Sequence, residues 1–191
     1  METFLSLCIG IGLSAACGFR VFVPLLVMSI ASLMGWFEPM KGFEWLAIPS
    51  VCIGLAVATL CEIGAYYIPW VDNVLDTIST PAAAVAGTLT TMAVSTGEMS
   101  PFVSWAAAII VGGGAASAVQ LSTVAVRGLS TVTTGGVANP LFSTGEWISA
   151  LLVSVLSLLV PVLVVFVGII LMVLLMRWIR HQKQKNLNKV V

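Results

Sequence analysis

Apolar residues run through this chain in long blocks, and none of the blocks fits one straight membrane crossing. The first covers residues 3–35 with a single charge inside it, Arg20. As one helix it would measure about 50 Å against a hydrocarbon core of about 30 Å, so it must tilt steeply or break. Pro24 has no N–H for the Arg20 carbonyl, and with Gly18 nearby it marks the expected break. A polar connection at residues 36–44, flanked by Trp36 and Trp45, suits the membrane interface and leads to a second span over residues 45–68. That span carries Glu62, with Tyr66 one turn further along the same face, and stops at Pro69. Next, Asp72 and Asp76 lie one turn apart, opposite Val71, Val74, Leu75 and Ile78, which predicts an amphipathic segment at the interface or along a cavity.

Thr80-Pro81 reads as a helix start, an N-cap followed by proline at the first helical position. The apolar run after it, residues 81–94, is short for a crossing and is expected to be re-entrant. Ser100-Pro101 repeats the signal and opens a span over residues 102–126. Residues 128–145 carry no charge and are rich in Gly, Ser and Thr, so they read either as an exposed loop or as an unwound segment whose backbone groups line a cavity. Asn139-Pro140 and the capping box from Ser143 to Glu146 close this stretch and start a last apolar helix to residue 176, kinked at Pro161.

A four-residue spacing gives the arginines a direction. Gly12, Ala16, Arg20 and Pro24 share one helix face, and Ala108, Gly112, Ala116 and Gln120 share another, with Thr123 and Arg127 continuing it. Small residues let a neighbouring backbone approach, so both arginines are expected to face protein. The similar order of features in residues 1–80 and 81–176 suggests duplicated halves, which would be an inverted repeat if each half crosses an odd number of times.

Composition fixes the class. The chain has 191 residues, 59% hydrophobic and 8% charged, with a mean hydropathy of +1.10, too little polar surface to cover a soluble globule. The expected architecture is an all-α polytopic membrane helix bundle with four to five crossings, broken or re-entrant helices and an inverted repeat. Residues 1–176 form one transmembrane domain and 177–191 a basic cytoplasmic tail. In that tail Arg177, Arg180, Lys183, Lys185 and Lys189 stand without an acid, which by the positive-inside rule puts the C-terminus in the cytoplasm. Five crossings would leave the N-terminus outside; four plus a re-entrant segment, the preferred count, would leave it inside. The first block lacks a basic leader and a small-residue cleavage site and reads as a retained span. A formal net charge of zero gives no field for nucleic acid. Cys8, Cys17, Cys52 and Cys61 lie in apolar runs without ligand spacing, and His181 is in the tail, so no metal or cofactor is expected.

An arginine at the bilayer centre costs from about 3 to over 10 kcal/mol and must find partners. Arg20, Glu62, Asp72, Asp76, Gln120, Arg127, Asn139 and Glu146 are therefore the candidate residues of a polar centre for an ion or small polar or anionic solute. Transport through that centre is the first reading; lipid translocation along a polar groove, and a structural lock within a bundle or homo-oligomer, are the alternatives. Catalysis is not expected: two carboxylates one turn apart commonly lie on solvated faces, and His181 offers no base within the membrane.

The run from Gly12 through Arg20 to Leu26, the stretch from Glu62 to Asp76, and the stretch from Val126-Arg127 through Asn139-Pro140 to Glu146 resemble a bacterial integral membrane family numbered 4126 among the domains of unknown function. The resemblance covers nearly the whole chain. It implies location in the bacterial inner membrane and marks the polar residues as typical of the family, without supplying an activity.

Overall fold

The computed structural model describes the backbone of residues 2–187, and the side chains of that stretch except at 69–70, 72–73, 175–176 and 178–187. Among the described residues there are seven helices and no strand. They are α1 Glu2–Phe19, α2 Phe22–Leu33, α3 Pro49–Ala65, α4 Pro69–Ala93, α5 Pro101–Thr134, α6 Asn139–Leu159 and α7 Pro161–Leu187. A short 3₁₀ turn, Glu44–Ala47, precedes α3, and α5 contains a π-helical turn at Ala108–Gly113. α1, α5 and α6 are long and apolar enough to cross a membrane, while α2, α3 and residues 161–174 are shorter apolar helices. Large apolar side chains such as Ile53, Leu60, Ile110 and Phe166 point outward. A helix bundle coated in this way is suited to lipid, and the chain is a membrane helix bundle.

The first long block breaks, but three residues before the expected proline. α1 ends at Phe19 and α2 begins at Phe22, so the apex is Arg20-Val21. Pro24 falls in the first turn of α2, where a missing N–H costs little because those donors have no partner within the helix. α2 then runs back along the bundle. Ser29 donates to the Leu46 carbonyl, the Met40 N–H reaches the Ala93 carbonyl, and Leu13, Met28, Leu46 and Ala93 share one buried cluster. The first two helices thus make a tight helical hairpin whose tip, Arg20-Val21, is buried in the protein.

α1 occupies the centre. It runs antiparallel to α4, with Gly10 against Thr91 and Ser14 against Gly87, and its first turn reaches the following connection, Thr3 against Glu98. It also runs antiparallel to α6, from Gly12 beside Ser157 to Arg20 beside Ser143. A small-residue seam permits this density. A Cβ on Gly87 would stand 2.6 Å from Ala116 Cβ and 2.7 Å from the Gly112 oxygen, so α4 and α5 touch backbone to backbone. Hydroxyls finish the seam: Ser14 lies 2.8 Å from the Gly87 oxygen and 2.7 Å from Thr91 Oγ1.

Three further expectations are corrected. Thr80-Pro81 starts no helix, because α4 runs through Pro81, and the Thr80 hydroxyl turns back to the Asp76 carbonyl at 3.3 Å instead of capping forward. Residues 81–94 are therefore the second part of a 25-residue helix rather than a separate re-entrant piece. Residues 128–145 are mostly helix as well. Thr131, Thr133 and Thr134 donate to carbonyls four residues back, which keeps their hydroxyls inside α5. The turn comes only at Gly135 and Gly136, whose φ of 65° and 84° are left-handed, and α6 begins at Asn139-Pro140. The capping box at Ser143 is internal to α6. Ser100 does cap α5, accepting from the Val103 N–H at 3.5 Å, and the chain breaks at Val160-Pro161 between α6 and α7. Arg177 is exposed, whereas Arg180, His181, Lys183, Lys185 and Lys189 lie outside the described side chains.

Candidate functional site

The buried charged residues meet at one end of the bundle, around the tip of the α1–α2 hairpin. Arg20 Nη2 lies 2.9 Å from Glu146 Oε2, and Arg127 Nε lies 3.3 Å from Glu146 Oε1, so one carboxylate on α6 bridges an arginine from the α1–α2 tip and one from α5. Asp76 on α4 forms a second ion pair with Arg127. Ser143, one turn before Glu146, accepts from Arg20 Nη2 at 2.5 Å through its hydroxyl. Both guanidiniums rest against the ring of Tyr66, at 3.6 Å and 4.5 Å from its centroid, and the Tyr66 hydroxyl is 2.6 Å from Ser79 Oγ. The ring's π face favours a cation most where water is absent. The site is closed to bulk solvent, for Arg20, Arg127 and Tyr66 are each no more than 2% exposed.

Glu62 has a different task. Its two carboxylate oxygens accept from the Val21 N–H at 2.8 Å and the Phe22 N–H at 3.0 Å, capping the start of α2 inside the protein. Helix starts leave backbone donors unsatisfied and carry a partial positive charge, so a carboxylate there is doubly favoured. Counting Glu62, the centre holds two cations and three carboxylates, and the helix start offsets part of the remaining negative charge.

Arginine's donors are not all used. Arg20 Nε and Nη1 are buried without a hydrogen-bond partner. A buried donor left in this way costs about 1–3 kcal/mol and calls for an explanation.

The structure thus brings together Arg20, Glu62, Asp76, Arg127 and Glu146. Gln120 is buried two turns above Arg127 on α5, beside the contact of Val119 with Gly18, and its Nε2 has no hydrogen-bond partner. Asn139 donates from Nδ2 to Thr131 Oγ1 at 3.1 Å, bracing the α5–α6 turn. Asp72 is one turn before Asp76 in α4, and its side chain lies outside those described. Sequence reasoning missed Tyr66, Ser79 and Ser143 as members of the site. Tyr66 carried the one usable signal, its position one turn from Glu62. No group of three or more His, Cys, Asp or Glu able to hold a metal ion occurs among the described residues.

The same residues align with a family model described as a domain of unknown function (DUF4126), which matches residues 7–181. The chain belongs to the DUF4126 family. No curated protein matches it, and no solved structure does. The family match takes in the whole charged centre, from Arg20 to Glu146, with most of α1 and all of α2.

Proposed function

We propose that this DUF4126 protein is a small permeation protein for an ion or small anionic solute, with the Arg20–Arg127 centre as its binding point and the observed ion-paired geometry as its closed state. The observation that carries this reading is the helix break at Arg20-Val21, set inside the bundle beside a buried guanidinium with two unpartnered nitrogens. Broken helices that point their starts into a membrane interior are a common way to hold an anionic group away from water. Opening would exchange contacts of Arg20 with Glu146 and Ser143 for contacts with the solute, and no bond in the solute need be made or broken. The basic residues from Arg177 onward support a cytoplasmic C-terminus, in a bacterial inner membrane.

The bridging of both arginines by Glu146 favours a second reading, in which the charges lock the bundle shut and move nothing. Flux separates the two. Purified protein in proteoliposomes is expected to admit a labelled small anion, and Arg20→Ala and Arg20→Lys are expected to abolish this while remaining monodisperse, since lysine cannot reproduce the planar fork on Tyr66. Flux unaltered in both variants, or no flux in the parent, rejects permeation through this centre.

A further inference from the structure

At the end of α1 away from Arg20, four hydroxyl residues line a small, largely enclosed cavity with room for about one water. They are Ser6 on α1, Thr91 on α4, Ser104 on α5 and Ser95 in the connection between α4 and α5; Leu7 and Ala107 complete the wall. Thr88, Ser117, Ser154 and Ser157 each turn their hydrogen to a carbonyl four residues back in their own helix. Ser104 does not: the Ser100 carbonyl accepts its backbone N–H, while its hydroxyl, on a residue only 3% exposed, has no hydrogen-bond partner. The Ser95 hydroxyl is likewise buried without a partner. Two such groups on one cavity are costly unless something there pairs with both.

The other two hydroxyls complement them. Ser6 already donates to the Thr3 carbonyl at 2.9 Å and Thr91 to the Gly10 carbonyl at 3.3 Å, so each has only acceptor capacity left. A water supplies two hydrogens and two lone pairs, which matches donation to Ser6 and Thr91 and acceptance from Ser95 and Ser104. A cation matches poorly. It takes lone pairs alone, which would leave the Ser95 and Ser104 hydrogens unpaired, and no carboxylate is among the described residues that line the cavity.

We infer that this cavity is a binding site for a single water, which ties α1, α4 and α5 together at the end of the bundle opposite the charged centre. The water also extends the neutral seam. Thr91 Oγ1 lies 2.7 Å from Ser14 Oγ, Ser14 Oγ 3.4 Å from Thr90 Oγ1, and Thr90 Oγ1 3.8 Å from Cys17 Sγ. A line of polar groups therefore follows α1 from Ser6 to Cys17, about 16 Å along the helix, and stops one turn before Arg20. The site stands whether or not the charged centre passes a solute.

The sign of a stability change tests the inference. In a dry cavity, removing a partnerless hydroxyl relieves a cost and raises Tm; in a hydrated one it breaks a hydrogen bond and lowers Tm. With protein purified in detergent, Ser95→Ala is expected to melt about 2–4 °C below the parent. Ser104→Ala is expected to melt about 2–4 °C below Ser122→Ala, which sets the background for losing an exposed serine whose hydroxyl bonds within α5. Either variant melting at or above its reference overturns the inference. So does a parent Tm that rises saturably with sodium chloride over choline chloride, since a cation would then hold the place of the water. Should a variant not be recovered in folded form, an experimental map of the parent that resolves ordered waters decides. Density for one water within hydrogen-bond distance of Ser95 Oγ and Ser104 Oγ is the expected result, and a map that shows other buried waters but none here overturns it.

Discussion

Two polar regions lie in the interior of this bundle, and they are built on opposite plans. The seam between α1, α4 and α5 is neutral: Ser14, Thr90 and Thr91 hydroxyls bond one another and the carbonyls of Gly87 and Gly10, and glycines bring the backbones together. The charged end, a few turns away, contains Arg20, Arg127, Asp76 and Glu146 around Tyr66, with Arg20 donors to spare. In the seam, the groups nearest each polar atom are short and fixed, so there is one arrangement. At the charged end long side chains share partners, and a shared carboxylate can be given up by one arginine and kept by the other. The contrast assigns rigidity to the seam and exchange to the charged end.

The largest expected effect comes from removing the shared partner. Glu146→Ala strips both arginines of one carboxylate, and breaking a buried ion pair from one side costs about 3–5 kcal/mol. Thermal unfolding in detergent should show a large drop in Tm, and the double variant Glu146→Ala/Arg20→Met should regain part of it. A drop that the second change deepens would mean Glu146 does not hold Arg20. Gly87→Ala ranks next, because its new Cβ would meet Ala116 Cβ and the Gly112 oxygen below 3 Å. Overpacking of this kind costs about 1–3 kcal/mol. Pairing it with Ala116→Gly should recover only part of the melting temperature, since the Gly112 backbone cannot be trimmed; full recovery would show the seam to be more yielding than its geometry. The smallest effect is expected from Tyr66→Phe, which keeps the ring beneath both guanidiniums and removes only the hydroxyl bonded to Ser79, a loss of about 1 kcal/mol. If it instead matches Glu146→Ala in the same melting assay, the Tyr66 hydroxyl rather than the ion pairs organises the charged end.

Much of this arrangement could be read from the chain. The four-residue spacing of Gly12, Ala16 and Arg20, and that of Ala108, Gly112 and Ala116 leading toward Arg127, placed both arginines on protein-facing sides, where the structure finds them buried. The excess length of the first apolar block required a tilt or a break. Its position was misread because proline was weighed as a breaker, although it is tolerated in a first turn, and because Glu62's stabilisation of the apex depends on a contact 40 residues away. Hydroxyl chemistry caused the other errors. Thr80, Thr131, Thr133 and Thr134 can cap or loosen a chain locally, and here each returns its hydrogen to its own helix. Tyr66 escaped notice as a site residue because it is uncharged, and its role exists only once two cations arrive from distant helices.

The π-helical turn at Ala108–Gly113 settles a matter of angular phase along α5. Ala108 and Arg127 are 19 residues apart, and at about 100° per residue a regular α-helix would leave them roughly 100° out of step. Such a turn accommodates one extra residue, which unwinds the helix by about that amount. Both ends of α5 can then face inward, Ala108 into the apolar cluster around Leu13 and Arg127 onto Tyr66. Deleting one residue within 108–113 would restore regular α-helix there without turning the two ends relative to each other. The same deletion one turn further on, at Ser117, would rotate Arg127 away from its partners.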